Sequence, residues 1–453
     1  MTRRRSSARG ILLLAALGGT LGNCAEPGRP AVELPLRPIV VVTIDTLRAD
    51  RLGTYGYGRD TSPVLDGLAR QGTTFERAVT TMSTTLPAHT SLWTSLLPIE
   101  TGVVANGTKY NVGTERRIRF FAEMLRDIGY QTAAFVSATP LKSRTGIAQG
   151  FALYDEPEVT QRSATETTDR VLAWLAAEPA EPFFLWVHYF DPHIPYEPPA
   201  PYDTMFSADE EMIDHLRQLR FPYPEDEEIL RINDLYDGEV RYVDSELGRL
   251  FAELDAMGCF DDSTIVVTSD HGEGLGQHDW LQHGRIFNEQ LLVPLIIKFP
   301  ESAGLAGRRF SGLTSIVDLV PTLVAALDLP FDEADRQQLR GYDALSGARR
   351  YALSQRTVRP NLRLWGLGKR YSLQSERWKY LLATEGEDVL YDLERDEAEV
   401  ENVIGRYPRQ ARKMREELTA ILVERSAATP ALAVTEELSP DVIEELRSLG
   451  YLN

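Results

Sequence analysis

The sequence predicts an α/β fold, with a mostly parallel central sheet flanked by helices and a small antiparallel sheet near the C-terminus. Two observations predict the main sheet: apolar runs of strand length recur along the chain, and helical patterns lie between them. Strands that alternate with helices form parallel sheets covered on both faces. Short strand-like pieces after about Tyr351 predict the antiparallel sheet, and a helical tail follows it.

Five apolar runs are predicted to be buried strands of the main sheet, because they are rich in β-branched or aromatic residues and too short for helices. They span residues 39–45, 132–138, 183–189, 264–270 and 293–299. Ligands of such sheets bind outside the carboxyl ends of the strands. Polar residues at those ends are therefore the first candidates for a site.

Along the chain we predict five segments. Residues 1–24 combine a basic start with an apolar run too short to span a bilayer, which is typical of a secretory signal. Residues 25–37 form a Pro-rich linker, 38–345 the α/β domain, 346–405 the antiparallel subdomain and 406–453 the helical tail. At 453 residues, the chain is long enough for a large domain with an appendage.

The signal ends in LGNC, which resembles the lipobox of bacterial lipoproteins, in which the cysteine becomes the lipidated first residue. Asn23 departs from the small residue usual before that cysteine, so plain secretory cleavage is the alternative. We expect an exported protein of the periplasm or cell envelope, attached to the membrane if Cys24 is lipidated. Cys259 would then be a structural thiol, since no other cysteine is left to pair with it.

Net charge argues against nucleic acid as a partner. The formal charge is −19, and removal of residues 1–24 takes away four arginines and no acidic residue, which moves it to −23. Such a surface repels polyanions. An anionic substrate would need a local cation in the site.

Two predicted strands end in residues that can bind a metal ion. Asp45 closes the first strand, and Asp270 and His271 close the strand at 264–270. Carboxylates and an imidazole at one sheet edge can share a divalent cation. Alone, an Asp-His pair is more often a helix cap beside a loop histidine. Because candidate ligands lie at the ends of two strands, a metal site is favoured here over a helix cap.

Residues 83–95, STTLPAHTSLWTS, crowd hydroxyl side chains around one proline and one histidine. Pro87 is predicted to start a helix whose N-terminal N–H groups favour an anion. The hydroxyls can cap or cover that helix, or one of them can be a nucleophile. These residues alone leave both interpretations open.

Six segments, in order, resemble the sulfatase family of the alkaline phosphatase superfamily. They are VVTIDTLRADRLGTYGYGRDTSPVLDGLARQGTTFERA, TTLPAHTSLWTSLLPIETGV, VHYFDPHIPY, TSDHGEGLGQHDWLQHGRIFNEQLLVPLIIK, SIVDLVPTL and WKYLLA with LYDLERDEAEVEN. In this family the nucleophile lies in a C/S-x-P-x-R pattern, whose Cys or Ser is oxidised to formylglycine. Here Thr85 takes that place and His89 the arginine position. Threonine cannot follow that oxidation, so no formylglycine is expected.

The resemblance implies one divalent metal ion. Asp45, Asp270 and His271 match the family ligands, with the Thr85 oxygen as a fourth. This set suits Mn²⁺ or Zn²⁺ better than Ca²⁺, which is the alternative.

The resemblance also assigns the reacting groups. Threonine is the nucleophile in related phosphodiesterases and phosphoethanolamine transferases, so Thr85 is the predicted nucleophile. His193 matches the histidine that faces the leaving group, and His283 stands where relatives place Lys or His against the substrate. Both suit general acid/base work, with a structural histidine as the alternative. His89 is predicted to contact the substrate.

Asn106 lies where phosphodiesterase relatives hold a phosphoryl oxygen, although Asn-Gly is also a turn signal. Arg48, Asp191 and Glu273 are predicted to orient other groups. His188 and His278 are interpreted as structural.

The leading prediction is a metal-dependent hydrolase of a sulfuric or phosphoric ester, acting through a covalent Thr85 intermediate. It leans to phosphoesters, because threonine lacks the second hydroxyl with which formylglycine expels sulfate. The expected substrate is an anionic ester of a small molecule, glycan or lipid headgroup. The alternatives are a sulfuric ester hydrolase proper, a phosphoethanolamine-type transferase and a catalytically silent binding protein.

Overall fold

The computed structural model describes residues 36–106, 109–110, 118–207, 226–356, 369–383, 387–427 and 433–434. The predicted signal at 1–24 and almost all of the predicted linker lie outside the described residues. Residues 1–36 separate as one unit and 37–453 as another, and the helices and strands of the described residues belong to the second.

The strands of the described residues, in chain order, are β1 (Ile39–Ile44), β2 (Thr73–Val79), β3 (Lys109–Tyr110), β4 (Gln131–Phe135), β5 (Leu153–Asp155), β6 (Phe183–Tyr189), β7 (Thr264–Thr268), β8 (Gly274–Leu275), β9 (Leu281–Gln282), β10 (Leu292–Lys298), β11 (Arg308–Ser315), β12 (Ala352–Gln355), β13 (Lys369–Gln374), β14 (Trp378–Ala383), β15 (Val389–Asp392) and β16 (Ala433–Val434). The helices are α1 (Pro63–Gln71), α2 (Thr85–Thr94), α3 (Pro98–Thr101), α4 (Phe121–Asp127), α5 (Ala164–Leu175), α6 (Asp226–Ala256), α7 (Asn288–Leu291), α8 (Leu319–Ala326), α9 (Glu333–Gln338) and α10 (Pro408–Ala427).

The central sheet confirms the predicted fold class. Its eight strands follow the order β11-β2-β10-β7-β1-β6-β4-β5, and β10 alone runs antiparallel to its two neighbours in this sheet. The five predicted strands are all present. Their central members β1, β6 and β7 are buried along their whole length, because both faces of the sheet are covered.

Alternate residues of β1 and β6 enter two different cores, as the period of two requires. Val40 and Val42 join the core beneath α1, α5 and α6. On the opposite face, Phe184 and Trp186 of β6 pack edge-on against Trp93 of α2. The sheet therefore holds α2 rigidly beside the carboxyl ends of β1 and β7.

Helix α2 begins two residues before the predicted start. Thr84 is extended, Thr85 is the first helical residue, and Pro87 occupies the third position. Proline is tolerated there because the first four N–H groups of a helix have no partner within it. The helix ends at Thr94, and the C-cap residue Ser95 has a left-handed φ of 58°.

A second, antiparallel sheet of order β12-β13-β14-β15 confirms the small C-terminal sheet, and α10 packs against it. Lys379 of β14 is fully buried, and its Nζ lies 2.7 Å from Glu399 Oε1 and 2.9 Å from Asn288 Oδ1. Asn288 begins α7, shortly after His283. This buried ion pair therefore joins the small sheet to a segment that carries a predicted site residue.

We expect Lys379→Met to lower the free energy of unfolding by about 3–5 kcal/mol, because it leaves Glu399 buried without its partner charge. Chemical denaturation measures the change. The exposed pair Arg406–Glu401 supplies the control, and Arg406→Ala should leave the unfolding midpoint unchanged. Equal effects of the two substitutions would contradict the role given to the buried pair.

None of the helices in the described part of the chain combines the length and the apolar character that a membrane span requires.

Candidate active site

Three predicted metal ligands meet at the carboxyl edge of the sheet. Asp45 directly follows β1, and Asp270 and His271 follow β7, the neighbouring strand. One ligand atom of each residue lies within 4.8 Å of those of the other two. His271 Nε2 is 3.4 Å from Asp270 Oδ2 and 3.8 Å from Asp45 Oδ1.

The atoms that face one another in this cluster lack hydrogen-bond partners. Both oxygens of Asp45, Oδ2 of Asp270 and Nε2 of His271 are buried and unbonded. The opposite sides of Asp270 and His271 are held: Asp270 Oδ1 accepts from the backbone N–H of His271 at 2.8 Å, and His271 Nδ1 donates to the Gly272 carbonyl at 3.0 Å. Because Nδ1 carries the proton, Nε2 presents a bare lone pair.

Electrostatics in the cluster favour uncharged forms. Burial raises the pKa of Asp45 well above its ordinary value, and the charges of Asp270 and Glu273 raise it further. Burial raises the pKa of Asp270 to about 6 and lowers the pKa of His271 to about 3. Two carboxylates and a neutral imidazole, fully buried and turned towards each other, are the donor set that a divalent cation neutralises. The residues present therefore fit a metal ion.

Thr85 stands beside this cluster with its hydroxyl unbonded. The side chain is fully buried, and Oγ1 has no hydrogen-bond partner. Its backbone carbonyl accepts from His89 Nδ1 at 2.9 Å, and the same nitrogen lies 3.7 Å from Asp270 Oδ2. The hydroxyls of Thr90 and Thr94 instead donate to carbonyls of their own helix. Ser91 Oγ is likewise buried without a partner, so within α2 Thr85 is distinguished by the contact of His89 Nδ1 with both the Thr85 carbonyl and Asp270.

Asn106 is anchored next to Thr85. Its Oδ1 accepts from the backbone N–H of Leu86 at 2.9 Å, which caps the first turn of α2. This contact identifies Oδ1 as the oxygen, because an N–H group can only donate to it. The amide nitrogen Nδ2 is buried without a partner. It remains available as a donor beside the predicted nucleophile.

We expect Asn106→Asp to keep the cap on Leu86, since a carboxylate oxygen still accepts there, and to lose the Nδ2 donor. If that donor binds a substrate oxygen, kcat/KM should fall by about 10²–10³-fold. Thermal unfolding should change little. A turn residue would behave in the opposite way, with full activity in the folded Asn106→Asp enzyme.

His193 and His283 face each other across the site. Their Nε2 atoms are 3.3 Å apart, while Nδ1 of His193 donates to the Ile194 carbonyl and Nδ1 of His283 to the Ser83 carbonyl. The His283 ring lies 4.3 Å from that of His271, between centroids. Burial lowers the pKa of both, and each feels a neighbouring histidine charge. Since each Nδ1 donates to a carbonyl, a hydrogen bond between the two Nε2 atoms needs one further proton on the pair.

His89 is placed differently from the predicted substrate contact. Its Nδ1 donates to Thr85 O, and its Nε2 lies 3.0 Å from Thr43 Oγ1, so both ring nitrogens are engaged by protein atoms. His188, interpreted as structural, has Nε2 only 3.7 Å from Asp45 Oδ2. Thr43 and Trp186 were missed altogether. Thr43 could have been found, because it lies two residues before Asp45 and so on the same face of β1.

Arg48 and Asp191 hold the loops at this edge. Arg48 Nη1 donates to the Glu273 carbonyl at 2.9 Å, which ties the segment after β1 to that after β7. Asp191 Oδ2 accepts from the backbone N–H of Ala164 at 2.7 Å, which caps α5. Both contacts are structural, and the first joins the segments that carry Asp45 and Asp270.

Comparison with known proteins identifies the family. A family model described as sulfatase matches residues 37–329. The chain belongs to the sulfatase family. It is 27% identical over 377 residues to a multifunctional alkaline phosphatase superfamily protein, PehA, of Trinickia caryophylli, which covers 63% of this chain and 73% of the relative. It is 24% identical over 443 residues to an arylsulfatase of Clostridium perfringens, covering 81% and 90%.

A solved structure agrees in fold. The phosphonate monoester hydrolase of Agrobacterium radiobacter superposes with a TM-score of 0.73 at 23% identity, and the match covers 89% of this chain and all of that one. Together with the family assignment, this makes the protein an ester-cleaving hydrolase of the sulfatase family. Its family binds a divalent metal ion, and its neighbours act on anionic esters.

Proposed function

We propose that the protein hydrolyses a phosphoric or sulfuric ester through a covalent intermediate on Thr85, with a preference for phosphoesters. The observation that supports the proposal is the buried Thr85 hydroxyl, which has no hydrogen-bond partner and belongs to a residue whose carbonyl shares His89 Nδ1 with Asp270 of the candidate metal cluster. An unbonded buried hydroxyl costs free energy unless a ligand or a reaction uses it. Thr85 would also serve as the fourth metal ligand.

In the first half-reaction, Thr85 Oγ attacks the phosphorus of the ester. A new oxygen–phosphorus bond forms, the bond to the alcohol oxygen breaks, and the phosphoryl group stays on Thr85. A divalent cation held by Asp45, Asp270 and His271 would supply a lowered pKa for the hydroxyl and charge stabilisation for the transferred group. Mn²⁺ or Zn²⁺ suits this donor set, with Ca²⁺ as the alternative. Asn106 Nδ2 donates to one of the phosphoryl oxygens.

His193 and His283 together carry out the proton transfers of the reaction. An anionic ester that enters the site raises the pKa of His193 and His283, because an opposite charge favours the imidazolium form. As Thr85 Oγ attacks, the pair takes up its hydroxyl proton between the two Nε2 atoms and passes it to the departing alcohol oxygen. In the second half-reaction the neutral pair accepts a proton from the water that attacks phosphorus, and this proton returns to Thr85 Oγ as the phosphate is released.

The proposed preference for phosphoesters over sulfate esters follows from the chemistry of the nucleophile. A threonine ester has no second hydroxyl on the same carbon, so the intermediate leaves only by attack on phosphorus or sulfur. No formylglycine is expected here. A sulfuric ester hydrolase proper is the second candidate, and the similarity to an arylsulfatase favours it. A transferase would share the first half-reaction and use an alcohol in place of water in the second.

A side-by-side assay tests the proposal. Metal-stripped protein is reloaded with Mn²⁺, Zn²⁺ or Ca²⁺ and given p-nitrophenyl sulfate, phosphate, a phosphodiester and a phosphonate monoester. We expect turnover of a phosphorus ester with Mn²⁺ or Zn²⁺. A clear preference for sulfate with Ca²⁺ would overturn the proposed preference for phosphoesters. Transfer to an added alcohol would indicate the transferase, and no turnover of any ester would indicate a binding protein.

We also propose that the protein is exported to the periplasm or cell envelope and is lipid-anchored through Cys24. The support is the sequence of residues 1–24 alone. Mass spectrometry of the N-terminal peptide from protein made in a bacterial host decides between a lipidated Cys24, plain cleavage near it, and an uncleaved start.

A further inference from the structure

A chain of hydrogen bonds runs beneath the predicted nucleophile. Trp186 Nε1 lies 2.9 Å from Thr43 Oγ1, which lies 3.0 Å from His89 Nε2. His89 Nδ1 in turn lies 2.9 Å from the carbonyl oxygen of Thr85. Trp186 and Thr43 are fully buried and His89 is 1% exposed. The chain connects β6, β1 and α2 at the edge where the metal cluster lies.

For a neutral His89, only one arrangement of protons satisfies these contacts. An indole N–H can only donate, so the Thr43 oxygen accepts from Trp186 and gives its own proton to His89 Nε2. A carbonyl can only accept, so His89 Nδ1 carries the imidazole proton. The neutral His89 is therefore held in the Nδ1–H tautomer.

The His89 N–H faces two groups of the site at once. It donates to the Thr85 carbonyl, and it lies 3.7 Å from Asp270 Oδ2, an unbonded oxygen of the metal cluster. The ring cannot rotate freely, because Trp186 and His188 pack on it with centroids at 5.4 and 5.1 Å. One fixed N–H group thus sets the first turn of α2 relative to a metal-binding carboxylate.

We propose that Trp186, Thr43 and His89 form a positioning chain that holds Thr85 in register with the Asp45, Asp270 and His271 cluster. The inference rests on the proposed function of Thr85. None of the three side chains touches substrate; they act through the backbone of Thr85. A displacement of 1 Å at a reacting atom costs about 10²-fold in rate, which sets the size of the expected effect.

Two amide substitutions of His89 separate its two nitrogens. Asparagine places an N–H where Nδ1 stands and keeps the donor to Thr85, whereas glutamine reaches the Nε2 position and keeps only the Thr43 contact. We expect His89→Gln to lower kcat by about 10²-fold with KM and metal affinity unchanged, and His89→Asn to recover at least about tenfold of that loss. Metal affinity is measured by titration calorimetry.

Two substitutions of Thr43 test the same chain of hydrogen bonds without changing His89. Thr43→Val removes the hydroxyl and should lower kcat by about tenfold, and Thr43→Ser should restore it. Nitrogen-15 NMR of histidine-labelled, metal-free protein gives a readout that does not depend on activity. The parent should show His89 protonated at Nδ1 alone, and Thr43→Val should shift the Nε2 resonance, because that nitrogen loses its hydrogen bond from Thr43.

Three results would overturn the inference. One is parental kcat in a folded His89→Gln enzyme while Thr85→Val is inactive, which leaves the proposed function standing and removes the chain from it. Another is a rise in KM alone, which indicates a substrate contact. The third is an Nε2–H tautomer in the parent.

Discussion

Thr85→Val is expected to lower kcat by at least about 10³-fold, because it removes the oxygen that attacks while keeping the volume of the side chain. Thr85 is fully buried and its hydroxyl bonds to nothing, so the fold should tolerate the change. Steady-state kinetics on the best ester of the panel measures the loss. Mass spectrometry of quenched reactions should find the phosphoryl or sulfuryl group on the Thr85 peptide of the parent.

Thr90→Val is the matched control. Thr90 is a buried threonine of the same helix, and its hydroxyl donates to the Leu86 carbonyl at 2.7 Å. Its removal should leave kcat unchanged, and Thr85→Ser should retain part of the activity. If Thr85→Val turns over at the parental rate with metal bound, the covalent mechanism is wrong.

Asp270→Asn is expected to lower affinity for Mn²⁺ or Zn²⁺ by more than about 10²-fold, and activity with it, because the cluster loses one of its two carboxylates. The effect of Asp270→Asn on the free energy of unfolding should have opposite signs in metal-free and metal-loaded protein. In metal-free protein the substitution removes a buried charge with an unbonded oxygen and should stabilise the fold by about 1–3 kcal/mol. In metal-loaded protein it should destabilise, because binding energy is lost.

Thermal unfolding with chelator and with metal measures both effects. Asp244 offers the control, since it is equally buried but its oxygens accept from the Val64 and Leu65 N–H groups at 2.9 Å. Asp244→Asn should destabilise under both conditions and leave metal affinity unchanged. The same stability change for Asp270→Asn with and without metal would reject the cation site.

The strands that could be predicted are those whose burial leaves a continuous apolar run. Residues 39–44 and 264–268 are such runs, and they lie at the centre of the sheet. Strand β2, TTFERAV, and strand β11, RRFSGLTS, were missed because they lie towards the sheet edge, where charged side chains reach solvent and the apolar signal is interrupted. The hydrophobic pattern of the sequence also could not show that β10 runs antiparallel to its neighbours.

Sequence alone determined the fold class, the sulfatase family and the proximity of Asp45, Asp270 and His271, because residues that end neighbouring parallel strands must meet at one edge. Tertiary structure decided what each polar atom bonds to. Thr43 lies opposite His188 only through the register of β1 with β6, and this pairing brings Trp186, Thr43 and His89 into one chain. Hydrogen bonds between elements distant in sequence depend on register and on ångström-scale distances, and no local pattern encodes them.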